Sequence, residues 1–97
     1  MNVRFTPDAL HHIASILTYI NERNPPAAIR VVGRIRTAAE RLGEFPHIGR
    51  PGLAPGTREW VVTGLPYIIV YEVRAGEVVV LGVYHGAQLR PGETNNR

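Results

Sequence analysis

Apolar positions recur along this chain with two different periods, and the switch between them divides it. Val3 and Phe5 alternate with polar neighbours over residues 2–6, which predicts a short strand with both side chains on one face. From Pro7 the period lengthens. Leu10, Ile13, Leu17 and Ile20 lie three, four and three residues apart, one stripe of an amphipathic helix expected over 7–22. Thr6-Pro7-Asp8 supplies its start, because threonine caps, proline loses no hydrogen bond in the first turn, and aspartate favours the positive end of the helix dipole. Asn24-Pro25-Pro26 repeats that logic for a second helix, whose stripe is Ala28, Val31, Ile35, Ala38 and Leu42. Gly43 is the expected stop. Gly33, costly in mid-helix, is expected where the two helices pack closely. Two helices joined by so few residues form an antiparallel hairpin.

Three prolines and three glycines then make residues 44–57 a loop. Beyond it the period falls to two or vanishes into apolar runs. Strands are expected over 58–62, 66–73 and 77–85, the last two joined by a hairpin turn at Arg74-Ala75-Gly76 and apolar on both faces, hence central. The order β-α-α-β-β-β defines an α+β fold with a helical hairpin on one face of a small, mostly antiparallel sheet. The first strand belongs at one edge, and the other face is expected to stay partly bare. Residues 1–89 form one domain, with a polar tail over 90–97 expected to fray.

Composition narrows the function. The 97 residues contain no cysteine, so there is neither a disulfide framework nor a thiolate metal site, which fits a reducing cytoplasm. No apolar run approaches the ~20 residues needed to span a bilayer, and no signal peptide is visible. All 11 basic residues are arginine against 8 acidic ones, giving a net charge of +3. That excess suits a nucleic acid or an acidic protein segment. A GC-rich coding sequence explains the preference for arginine over lysine equally well.

Four segments in this order resemble the RelE/ParE toxin superfamily, nearest its ParE-like branch: Phe45-Pro-His-Ile-Gly-Arg50, Gly56-Thr-Arg-Glu59, Tyr67-Ile-Ile-Val-Tyr71 and Val78-Val-Val-Leu-Gly-Val-Tyr-His85. The resemblance runs from Val3 to Gln88. It implies the toxin half of a type II toxin–antitoxin pair, without cofactor, held inactive by an antitoxin whose C-terminal segment folds onto it. Superfamily membership leaves the target open. ParE-like members poison DNA gyrase by binding, whereas RelE-like members cleave mRNA on the ribosome. A chain that has kept the fold but lost toxicity is a third reading.

The residues favour gyrase. RNA cleavage needs a base, an acid and clustered cations. RelE-like enzymes carry an arginine directly after the first tyrosine of the middle strand, and here that position is Ile68. The remaining candidates for a nuclease are Arg58, Tyr84 and His85. Against them stands a structural reading in which His85 bonds the loop near His47, and Arg50 and Arg58 pin that loop through Glu59 or Glu72. Candidates for target binding are Arg50, Arg58 and the ridge of Arg30, Arg34 and Arg41 on the second helix, which is equally a solvated face. Candidates for antitoxin binding are Leu10, Ile13, Leu17, Trp60, Tyr67 and Tyr71. His11 and His12 point about 100° apart on a helix, cannot share a metal unaided, and are expected at the surface.

Overall fold

A computed structural model describes residues 1–93 of the chain. Strand β1 (Asn2–Phe5) leads into helices α1 (Pro7–Asn21) and α2 (Pro25–Glu44), followed by β2 (Arg50–Pro51), β3 (Arg58–Val61), β4 (Tyr67–Arg74) and β5 (Glu77–His85). Both helix starts are capped as their sequences require. Thr6 Oγ1 accepts from Ala9 N at 3.1 Å and Asn24 Oδ1 from Ala27 N at 3.2 Å. The β4–β5 connection places Ala75 and Gly76 at φ 50° and 77°, the left-handed pair that a two-residue hairpin turn demands.

The sheet order is β1-β5-β4-β3-β2, antiparallel except for β1, which runs parallel to β5 with Val3 opposite Val78 and Phe5 opposite Val80. The first and last strands are therefore neighbours. The two-residue β2 was absent from the expected order. It forms because Arg50 and Pro51 meet Glu59 and Arg58 on β3, and one further bond, from Gly52 N to the Thr57 carbonyl at 2.7 Å, closes the loop between them.

The core lies between the helices and one face of the sheet. Ala9, Ile35, Ala39, Leu42, Ile69, Tyr71, Val78 and Val80 are fully buried within it. Several sequence expectations are corrected here. Helix α1 buries Ala9 and half-buries Ile13 and Ile16, leaving Leu10 and Leu17 exposed, so its buried face is rotated from the predicted stripe. Gly33 has open space around it rather than a helix neighbour. Gly43 stays within α2 and is needed for contact with β1, since a Cβ there would lie 2.6 Å from the Met1 carbonyl oxygen.

The sheet's second face is also less bare than expected. Val70 and Val79 on that face are fully buried. After β5 the chain turns at Gly86 and comes back toward β3, where Arg90 Nε donates to Glu59 Oε2 at 3.0 Å and Gly92 packs on Leu53 and Ala54. Arg90 thus begins an anchored return segment rather than a frayed tail. The remainder of the predicted tail, 94–97, lies outside the described residues.

Candidate functional site

Two regions gather the chemistry, at opposite ends of β4. The first surrounds the 45–50 loop. Tyr71 reaches from the core to accept from Gly49 N at 2.9 Å and donate to the Pro46 carbonyl at 2.8 Å. Gly49 is required there, because a Cβ would sit 2.6 Å from that hydroxyl. Burial raises the Tyr71 phenol above its ordinary range despite the Gly49 contact, so it remains a donor. Arg58, directly opposite Tyr71 in the ladder, donates to the carbonyls of Gly49 and His47 at 2.8 and 3.4 Å.

Beside it, Glu59 is only 2 % exposed and receives Arg50 Nη2 at 3.1 Å and Arg90 Nε at 3.0 Å. Burial pushes its carboxyl up. The hydrogen bonds from Arg90 and Arg50, the charge of Arg90 and the Leu53 amide together outweigh that and hold it below the usual carboxylate range. Arg50 and Arg58 do pin the loop to the sheet, one through Glu59 and the other through main-chain carbonyls. Glu72 takes no part and pairs with Arg74 at 2.7 Å.

The second region follows the edge of β5. A bulge makes the difference: Tyr71 faces Val80 and Val70 faces Gly82, leaving Leu81 without a partner. Past the bulge β1 has ended, and α1 takes over the edge. Thr6 Oγ1 donates to the Leu81 carbonyl at 3.1 Å, and Val83 N donates to His12 Nδ1 at 3.1 Å. His12 is therefore an edge cap rather than the surface residue its sequence position implied; His11 alone is exposed. The Tyr84 ring lies 4.9 Å from the His12 ring, edge to face, over the bare backbone of Gly82. Tyr67 and His85, opposite one another across β4 and β5, form a perpendicular pair at 5.6 Å.

These side chains line a cleft of about 610 Å³ that also takes in Ser15, Tyr19 and Gln88. His85 is bonded within its own turn, Nδ1 accepting from Ala87 N at 3.1 Å and its backbone N donating to Gln88 Oε1 at 2.6 Å. The expected contact with the loop around His47 is not the one it makes. Desolvation raises the phenols of Tyr67 and Tyr84, aided by Tyr19 and Asp8 respectively, so both stay protonated.

The three candidate nuclease residues do not converge. Arg58 pairs with Tyr71 and His85 with Tyr67, four residues away along β4. At ~3.3 Å per residue and ~4.8 Å between strands, their backbones are roughly 16 Å apart. Tyr84 and His85 both line the β5 cleft, so it is the cation that stands apart from them. Ile68 is buried, so the position where an arginine would serve a nuclease belongs to the core.

Of the remaining candidates, Arg30, Arg34 and Arg41 share the outer face of α2 and are exposed. Arg34 donates to the Thr63 carbonyl and the Arg41 guanidinium sits 5.4 Å from the Phe45 ring centre. Both border a groove of about 440 Å³ between α2 and β3, floored by Trp60, Ala38, Ile48 and Val62. Among the antitoxin candidates, Leu10 and Leu17 reach the surface, Ile13, Trp60 and Tyr67 are half-buried, and Tyr71 is excluded because it is wholly buried. Sequence reasoning missed the His12 cap, whose one signal was its place beside the buried Ala9 and half-buried Ile16 positions of the helix. It also missed Arg90. Among the described residues no cluster of ligating side chains could hold a metal ion.

The comparisons agree with this architecture. The family model described as the ParE toxin of the parDE type II toxin–antitoxin system matches residues 3–90. The chain is 44% identical over 89 residues to the Putative toxin Y4kP of Sinorhizobium fredii, covering 92% of each. It is 39% identical over 87 residues to Toxin RelE2 of Caulobacter vibrioides, covering 90% of this chain and 97% of that relative. Its fold is similar to a structure from the chromosomal ParDE toxin–antitoxin system of P. aeruginosa, with a TM-score of 0.80 at 22% identity over 88% of this chain and 95% of the other. With the fold, the joint residues and the relatives in agreement, the chain belongs to the ParE toxin family of type II toxin–antitoxin systems.

Proposed function

We propose that this toxin acts by binding DNA gyrase and not by cutting RNA. The observation that supports the reading most is the use made of its cations. Arg50 and Arg90 are bound to Glu59, and Arg58 is bound to loop carbonyls. Arg58 also stands far from His85, so no cation on the sheet is left beside a proton-transfer group. Arg30, Arg34 and Arg41, exposed together along α2, present a positive ridge to an acidic surface or to DNA. In a supercoiling and cleavage assay with purified gyrase, ATP and plasmid, toxin freed from its antitoxin is expected to trap cleaved DNA or block supercoiling. Charge reversal at Arg34 and Arg41 is expected to remove the effect. No response at large molar excess of toxin, together with mapped cuts in mRNA during cell-free translation, overturns the reading in favour of a ribosome-dependent nuclease.

The cognate antitoxin is the second partner. We place its docking segment in the groove beside Trp60, with the exposed Leu10 and Leu17 as a further apolar contact. Past Glu59 the outer edge of β3, at Trp60 and Val61, has no strand beside it among the described residues, so an extended segment can add to the sheet there. Arg34 and Arg41 favour acidic side chains on that segment. Trp60 is the sole tryptophan, so its fluorescence reports directly. Antitoxin binding is expected to shift its emission to the blue, and an unchanged spectrum in a formed complex sinks this placement.

A further inference from the structure

The cleft along β5 has no part in the reading above, yet its lining has an unusual chemical bias. Both of its inner imidazoles are fixed in the same sense. His12 Nδ1 accepts from Val83 N, and His85 Nδ1 accepts from Ala87 N. The proton of each neutral ring therefore belongs on Nε2, leaving two N–H donors for a ligand. Gln88 adds to the bias, because its carbonyl oxygen is taken by the His85 amide and its NH₂ group is left over. Tyr19, Tyr67 and Tyr84 contribute hydroxyls and flat apolar rings. Among the described residues no arginine and no carboxylate lines the cleft.

That combination selects a class of ligand. A phosphate or carboxylate calls for fixed positive charge, which is missing. A purely aliphatic group leaves the donors unmatched, at a cost to binding. A ligand rich in donors finds two Nδ1 atoms and the Gln88 oxygen already in use, while the Ser15 hydroxyl and the phenol oxygens remain to take a single ring N–H. A flat, uncharged ring with carbonyl oxygens on its rim satisfies both the donors and the aromatic walls. At about 610 Å³ the space lies within the range of small-ligand sites, ~300–1,000 Å³.

We propose that the cleft between α1 and the C-terminal half of β5 binds a single unpaired nucleobase with two ring carbonyls, uracil or thymine. His12 and His85 donate to its oxygens while Tyr67 and Tyr84 wall its faces. Aromatic walls of this kind hold splayed-out bases in single-stranded nucleic acids generally. The inference is independent of the gyrase reading and applies whichever macromolecule the arginine ridge meets.

The test uses the full-length labelled chain, separated from antitoxin and refolded, titrated with uridine 5′-monophosphate while its aromatic side-chain NMR signals are followed. Saturable shifts are expected in Tyr67, Tyr84, His12 and His85. Cytidine 5′-monophosphate, with one carbonyl replaced by an amino donor, is expected to bind roughly tenfold more weakly, and inorganic phosphate is expected to leave these signals unmoved. His85→Ala and, independently, Tyr67→Leu are each expected to weaken uridine binding by about tenfold, with signal dispersion elsewhere reporting an intact fold. The proposal is overturned by silence with uridine, by an equal response to cytidine or phosphate, or by shifts confined to the outer face of α2.

Discussion

The two ends of β4 put similar residue types to opposite uses. At its C-terminal half, around Tyr71, every charged or hydroxylic group is spent on the protein itself: Tyr71 on Gly49 and Pro46, Arg58 on two carbonyls, Glu59 on two arginines. At its N-terminal half, around Tyr67, three imidazoles and three phenols meet in an open cleft with donors to spare. The first end is the more polar in sequence and the less available in space. A basic or acidic residue near a sheet is thus evidence for chemistry only after its internal partners have been counted.

Substitutions sharpen this contrast most where internal use is heaviest. Glu59→Gln leaves Arg90, a largely buried cation, without its counter-charge, and is expected to cost about 3 kcal/mol in denaturant unfolding. The same change tests the pH behaviour. Glu59 is held below its ordinary value in the folded state, so its stabilisation is complete above the unfolded carboxyl range. It fades as pH falls from about 4.5 through the lower folded value. The variant is expected to show a flatter acid limb, and an unchanged limb contradicts a charged Glu59. Next, Tyr71→Phe orphans the Gly49 amide and the Pro46 carbonyl at constant ring volume, for an expected loss of about 2 kcal/mol by the same measurement.

Smaller effects are expected at the other end. His12→Ala removes one acceptor from the edge of β5 and a ring contact with Tyr84, for about 1.5 kcal/mol, with faster amide exchange at Val83 as its specific signature. His85→Ala loses a turn contact at an exposed position and is expected to change stability by under ~0.5 kcal/mol. A loss at His85 as large as that at Glu59 would erase the distinction between a spent end and an available one.

Much of the architecture was legible before any coordinates. Helix starts at Thr6 and Asn24, the turn at Ala75-Gly76 and the central apolar strands follow local rules, and each forms where those rules put it. What local rules could not supply are contacts between segments remote in sequence. The Leu10–Leu17 stripe was read inward because an α1 face is judged by periodicity, whereas the actual buried face is set by how α1 closes the β5 edge through His12. Gly43 was read as a stop because glycine ends helices, yet here it admits the chain 42 residues upstream, whose terminal ammonium donates to the Gly43 carbonyl. Arg90 was assigned to a loose tail, since nothing near it in sequence announces Glu59. The missing nuclease site was readable in part: Ile68 signalled it, and the separation of Arg58 from His85 required the register of three strands.

The parallel pairing of β1 with β5 also has a consequence in time. Strand β5 is wedged between β1 and β4, so a strand paired along both edges is the last of the described strands to leave the ribosome. Until residues 77–85 emerge, the helical hairpin has no sheet to cover and the cleft has no wall. Contacts of such long sequence separation form late. The toxin therefore stays unfinished through most of its own synthesis, an interval in which an antitoxin already present can meet each new molecule as it first becomes dangerous.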